Sequence, residues 1–297
     1  MKFKRMKKFQ ILLVLTLIVS FLPLSVQAET ITQNCTGTHE GYYYEYSKDI
    51  GTGTMELEEG KVGFSCNWSD IHIIFFDYGM IYNQDKTHQE MGNISISYEC
   101  SYESIAETDQ YTIAGIFGLT LYPSVGFFIV ESHDNWKPKA NKSPIKTIVV
   151  DGAEYDIYEY IYPSFENPSY EYYFVRREPR TSGTISVSKH LRELEALKVK
   201  LGKIYKIVFT FEGYKSEGSA ELTKLNIDIA LPGDVNEDGN IDSLDFAILR
   251  KYLLGKIETI SSNADVNQDS NINSLDFAWL KIHLLGKIDL GDKFATS

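Results

Sequence analysis

Cysteine is scarce in this chain of 297 residues: only Cys35, Cys66 and Cys100 are present. An odd count leaves at least one unpaired, which excludes a disulfide scaffold; a single bridge is allowed, and no pairing is favoured. Cations are also in short supply, with 29 Lys+Arg against 41 Asp+Glu. Binding nucleic acid depends on neutralising phosphates, so a nucleic-acid partner is excluded. Long apolar runs are missing apart from Ile11–Leu24, which falls short of the roughly 20 residues a membrane span needs. That run follows the cations Lys2, Lys4, Arg5, Lys7 and Lys8 and precedes the small-residue sequence VQA ending at Ala28. The pattern is that of a secretory signal over residues 1–28, so the expectation is an exported, extracellular protein with no membrane span. Without those five cations the net charge is about −17, which suits a calcium-loaded protein outside the cell.

What is abundant is β-forming sequence. From about residue 33 to 230, short runs rich in Tyr, Phe, Ile, Val and Thr alternate with turn signals: GYYYEYSKD (41–49), VGFSCNWSD (62–70), NISISYEC (93–100), TIAGIFGLTL (112–121), YPSVGFFIVES (122–132) and YKIVFTFEGY (205–214). Asp151-Gly152 between two further runs predicts a tight hairpin. Many short, regularly spaced strands predict a sandwich or barrel. One helix is expected over 186–202, where Leu191, Leu194 and Leu197 share a face, Ser186 or Ser188 can cap the start, and Gly202 follows the end.

After Leu231-Pro232 the character changes. DVNEDGNIDSLDFAILRKYLLGKI (234–257) recurs 31 residues on as DVNQDSNINSLDFAWLKIHLLGKI (265–288), with 17 of 24 positions identical. Each copy sets oxygen donors at loop positions 1, 3, 5 and 12: Asp234, Asn236, Asp238 and Asp245, then Asp265, Asn267, Asp269 and Asp276. Asn240 and Asn271 supply backbone carbonyls at position 7, and Asp242 and Asn273 stand at position 9. Calcium takes six to eight such oxygens, so two calcium sites are expected. Gly239 serves the sharp turn of the first loop, whereas Ser270 replaces it in the second, which predicts weaker binding there.

Each loop leads into one helix and no helix enters the first loop. Paired half EF-hands of this kind resemble a type I dockerin over residues 233–290, after a linker of 231–232. The resemblance implies a small all-α calcium module that docks onto a cohesin of a cellulosome scaffold. It puts the recognition positions on Ser243, Leu244, Arg250 and Lys251, and on Ser274, Leu275, Lys281 and Ile282. Two near-equal copies imply two docking orientations, made unequal by Ile282 where the first copy has Lys251.

Residues 29–230 resemble a family 11 glycoside hydrolase, an endo-β-1,4-xylanase. GTHEGYYYEYSKD (37–49), NWSD (67–70), PSVGFFIVES (123–132), DGAEYDIYE (151–159), RTSGTISVSKH (180–190) and FEGYKSEGSAEL (211–222) occur in family order. The implied fold is a mainly β jelly roll with one helix. The implied chemistry is retaining hydrolysis of xylan by two glutamates, which must stand about 5–5.5 Å apart. The acid/base position falls on Glu212. The nucleophile motif reads Pro123-Ser124-Val125-Gly126-Phe127-Phe128, so Gly126 stands where the second carboxylate belongs. Glu131, an odd number of residues on, points to the other sheet face.

The rest of the implied cleft differs too. Ser47, Leu119 and Phe117 replace two stacking tryptophans and a tyrosine, Ile73 replaces the residue that tunes the acid/base, and the closing loop at 163–169 is short. The tyrosines 42–44, 46, 170, 172 and 173 are candidate replacement stacking faces. The expectation is a cellulosome component directed at xylan but impaired in catalysis. A xylanase with re-routed chemistry and a jelly roll with a purely structural role are the alternatives.

Overall fold

The computed structural model describes residues 28–136, 142–162, 169–267, 269, 271–288 and 290. The chain is mainly β. Its first strands are β1 (Ala28–Ile31), β2 (Cys35–His39), β3 (Tyr42–Lys48), β4 (Thr52–Glu58), β5 (Phe64–Ser69) and β6 (Ile73–Ile81). A short helix α1 (His88–Met91) precedes β7 (Asn93–Ile105), β8 (Tyr111–Leu121) and β9 (Val125–Asp134). Then come β10 (Lys146–Val150), β11 (Ala153–Tyr162), β12 (Ser169–Arg176) and β13 (Ser182–Ser186). Helix α2 (Val187–Ala196) leads to β14 (Lys203–Tyr214) and β15 (Glu217–Ala230).

These strands form two sheets in a jelly-roll-like arrangement. The smaller runs β1-β4-β5-β15-β7-β13 and the larger β10-β11-β12-β9-β8-β14-β6-β3-β2. Among the described residues every pairing is antiparallel except β12 with β9. Side chains alternate between sheet faces with period two, so one set of each strand meets the other sheet. Tyr46, Phe76, Phe127, Phe174, Phe209 and Phe211 of the larger sheet are fully buried in the shared core. Each such ring contributes about 1.5–3 kcal/mol relative to exposure. The expected hairpin forms between β10 and β11, with Asp151 and Gly152 both at positive φ.

Several expectations need correction. The stretch 122–132 is not strand throughout, because β9 begins only at Val125. The jelly roll holds two helices among its described residues, since α1 adds to α2. Helix α2 stops at Ala196, six residues short of Gly202, and Lys198 just beyond turns at positive φ. Ser186 makes no side-chain cap. Ser188 is the serine that acts, accepting from the Ile94 amide at 2.8 Å and donating to the Gly92 carbonyl, which ties α2 to the start of β7. All three cysteines are free, and Cys66 and Cys100 are buried. Residues 1–27 lie outside the described residues, whereas Ala28 opens β1.

The two sequence repeats give α3 (Ser243–Leu253) and α4 (Ser274–Leu284). Both start with a reciprocal capping box, Asp242 with Asp245 and Asn273 with Asp276. Phe246 stacks on Phe277 at 4.1 Å between the helices, and Val235, Leu249, Val266 and Leu280 form the core beneath. Among the described residues no helix is long and apolar enough to cross a membrane.

Candidate functional site

The two positions singled out for catalysis, Gly126 and Glu212, lie on the face of the larger sheet turned away from the shared core. Alternation puts Glu212 there, because Phe209 and Phe211 face the core. Glu212 is buried and accepts a hydrogen bond from the Tyr111 hydroxyl at 2.7 Å. Gly126 takes the same face from β9, between the core residues Val125 and Phe127. One strand, β8, separates the two: Gly126 pairs with Leu119 and Glu212 with Ile113.

Register adds a residue that the sequence did not single out. In the parallel β12–β9 pair, Glu171 stands opposite Gly126. Paired residues share a face, and a Cβ placed on Gly126 would meet Glu171 Cγ at 3.2 Å, with Phe117 and the Tyr170 carbonyl at 3.8 Å. Glu171 is half-buried and accepts from the Tyr173 hydroxyl at 3.2 Å. No local pattern could have found it, since 45 positions separate it from Gly126 in the chain.

Toward β14 and β6 the same face carries a second unforeseen feature. Lys206 Nζ reaches Asp77 at 2.6 Å and Glu45 at 2.7 Å, with Lys206 and Asp77 both buried. Burial opposes charge on the ammonium, but the two carboxylates outweigh it and raise Lys206 above its usual value. Burial likewise works to raise Glu45, and Lys206 reverses that and lowers it. Lys206 also sits 5.4 Å over the Tyr43 ring and 5.6 Å over Phe117.

Toward β11 the face is aromatic and packed on itself. Phe128 and Tyr173 stack at 4.6 Å and 6°, and Trp136 covers Tyr173 at 5.6 Å. Of the seven tyrosines expected as stacking faces, Tyr44, Tyr46, Tyr172 and Tyr173 are buried, while Tyr42, Tyr43 and Tyr170 are half-buried. Phe117 and Leu119 are half-exposed beside Gly126. The short loop at 163–169 falls almost wholly outside the described residues.

Glu131 is placed where parity put it, on the core side. It is 1 % exposed and accepts from Tyr98 at 3.1 Å and Tyr155 at 2.5 Å while paired with Arg180. It is the extra residue of a bulge, between the pairs Ala114–Ser132 and Gly115–Val130. That network ties the two sheets together, and Glu131 is spent on structure.

In the repeats, the residues expected as oxygen donors accept hydrogen bonds from the amides of their own loops. Asp245 is fully buried; its Oδ1 accepts from the Val235 and Asn236 amides and its Oδ2 from the Asp242 amide. Asp234 accepts from the Asp238 and Gly239 amides, and Asn236 donates to Asp238 at 2.8 Å. The second loop repeats this with Asp276 accepting from Asn267 and Asn273, Asp269 from Asn271, and Asp265 from Asp269. Among the described residues no three acidic, histidine or cysteine side chains gather to hold a metal by themselves. A mixed set of carboxylates, Asn240 and Asn271 carbonyls and amide oxygens fits a hard, oxygen-seeking cation rather than a soft one. Residue 270 lies outside the described residues. On the helices, Ser243, Leu244, Arg250, Lys251, Ser274, Leu275 and Lys281 are exposed and Ile282 is half-buried.

The site is thus a buried acid on the outer face of a two-sheet β fold, followed in the chain by a duplicated acidic loop and helix. Residues 39–223 match the family described as Glycosyl hydrolases family 11, and residues 232–285 match the Dockerin type I domain. The chain belongs to glycosyl hydrolase family 11 and carries a type I dockerin domain. An endo-1,4-beta-xylanase A of Thermoclostridium stercorarium is 39% identical over 74% of this chain and 33% of its own length. An endo-1,4-beta-xylanase A of Bacillus pumilus is 37% identical over 70% of this chain and 90% of its own. The family 11 xylanase structure from Neocallimastix patriciarum superposes with a TM-score of 0.61 at 26% identity, covering 68% of this chain and all of that one. The chain spans only about a third to under a half of the first curated relatives it matches.

Proposed function

We propose that this chain is a secreted cellulosome component whose jelly roll is directed at xylan and whose ordinary retaining chemistry is closed. The observation that carries this is Gly126. Retention requires a carboxylate to bond the sugar, and the position assigned to it has no side chain. Glu212 keeps the acid/base position, buried and hydrogen-bonded to Tyr111. The Lys206 cluster and the self-packed Phe128–Tyr173–Trp136 stack support impairment further, because they occupy the face on which a xylan chain would lie.

Attachment runs through the dockerin. Calcium held by Asp234, Asn236, Asp238, Asn240 and Asp245, and by Asp265, Asn267, Asp269, Asn271 and Asp276, would fix the two helix starts. Ser243, Leu244, Arg250 and Lys251, or Ser274, Leu275, Lys281 and Ile282, then meet a cohesin. The exposure of Leu244 and Leu275, each more than half open, supports a partner at those positions.

The test measures reducing-end release and soluble-xylan affinity on the mature protein and on Gly126→Glu. Xylan retention with turnover far below the ~10 per second of an ordinary enzyme is expected of the unaltered protein. Turnover at that ordinary rate overturns the closed route, and absence of xylan binding overturns the ligand.

A further inference from the structure

The loss at Gly126 is paired with an acid from the next strand. Leu119, Gly126, Glu171 and Tyr160 form one row across β8, β9, β12 and β11 on the outer face. Within that row Glu171 leans over β9, because its Cγ lies 3.2 Å from where a Cβ on residue 126 would begin. Its carboxylate therefore sits one bond from the space that a side chain at 126 would fill, and Tyr173 steadies one oxygen at 3.2 Å. Only glycine at 126 leaves that space open. A larger side chain would press on Glu171 at a separation tighter than ordinary van der Waals contact.

We propose that Glu171 is a catalytic base for slow hydrolysis of xylan with inversion, acting on a water held over Gly126. The inference rests on the reading that xylan lies across this face and that the covalent route is closed. Glu171 is rooted one strand farther from Glu212 than residue 126 is, a step of about 4.8 Å. A wider carboxyl pair, about 6.5–9.5 Å apart, leaves room for a water and gives inversion, whereas retention needs a close pair. In the step, a lone pair of the water oxygen bonds the anomeric carbon and the glycosidic carbon–oxygen bond breaks. The departing oxygen takes the proton of Glu212, and Glu171 takes a proton from the attacking water. The net reaction consumes one water, and proton exchange with solvent resets both acids.

The experiment follows the mature full chain on xylo-oligosaccharides by proton NMR, reading the anomer formed before mutarotation. It repeats the measurement on Glu171→Gln, with soluble-xylan affinity determined on both proteins. The expected result is the α-anomer first, a rate lowered at least about 100-fold in Glu171→Gln, and unchanged xylan affinity. The anomer formed by the unaltered protein needs no variant to fold. Alpha product with no loss in Glu171→Gln overturns the role of Glu171 alone. Xylan binding with no hydrolysis at all also overturns it, while leaving the xylan-binding reading intact. Beta product first overturns both the inference and the closed covalent route. No xylan binding removes the reading on which the inference depends.

Discussion

The outer face of the large sheet and the two acidic loops are both built from carboxylates, yet they are assembled in opposite ways. Each loop gathers its donors from twelve consecutive residues, with Asp245 and Asp276 closing the ring by accepting amides from their own loops. The sheet face draws Gly126, Glu171, Glu212 and Lys206 from three strands whose neighbours are fixed only by register. A contiguous site survives or fails with its local spacing. A site spread over strands can lose one acid and have another from the next strand stand over the gap.

That contrast can be broken hardest at the loops. Chelating calcium, or replacing Asp245 and Asp276 by alanine, is expected to abolish cohesin binding, a loss of at least ~1,000-fold by calorimetry, while the jelly roll melts as before. Metal binding and folding are one equilibrium in such modules. Retained cohesin affinity without calcium would show that the loops do not need the ion.

The sheet face should respond next. Lys206→Met leaves Asp77 and Glu45 without their cation, and breaking a buried pair costs about 3–5 kcal/mol. Thermal unfolding of the jelly roll should fall accordingly, with dockerin melting unchanged. A loss below ~1 kcal/mol would mean that water already screens the cluster.

A third prediction concerns pH. His190 of α2 is fully buried edge-on to Tyr155 and Phe174, and burial lowers its pKa to about 4. The unfolded chain therefore takes up the proton first as pH falls. The stability from keeping His190 neutral is whole above its unfolded value near 6.5 and is lost progressively down to about 4. The loss from this group is about 3 kcal/mol. Denaturant melts between pH 7 and 4 should show that slope, and His190→Leu should flatten it.

The smallest effect separates the loops from each other. Gly239 holds φ +86 in the first loop with open space around it, and its counterpart is Ser270. A side chain at positive φ costs about 1 kcal/mol, so the second site should bind calcium about fivefold more weakly. Ser270→Gly should bring the two together in a calcium titration.

Legibility followed the same divide. The repeat and its two helices were readable because short spacings act within one segment. Strand alternation also put Glu131 on the core side, although the bulge and its bonds to Tyr98, Tyr155 and Arg180 were not foreseeable. The helix end at Ala196, the inward turn of Tyr44, Tyr46 and Tyr172, and the burial of Tyr173 on the outer face depended on what packs against them. Ser188 looked like a cap and proved to be a tether to β7.

By itself, the sequence determined the acidic character, the succession of strands, the duplicated acidic loops and the absence of a carboxylate at position 126. These depend on composition and on near neighbours along the chain. Only the tertiary structure decided that Glu171 overhangs Gly126 and that Lys206 is held by Asp77 and Glu45. Strand pairing brings together residues dozens of positions apart, and a chain read end to end carries no measure of that distance.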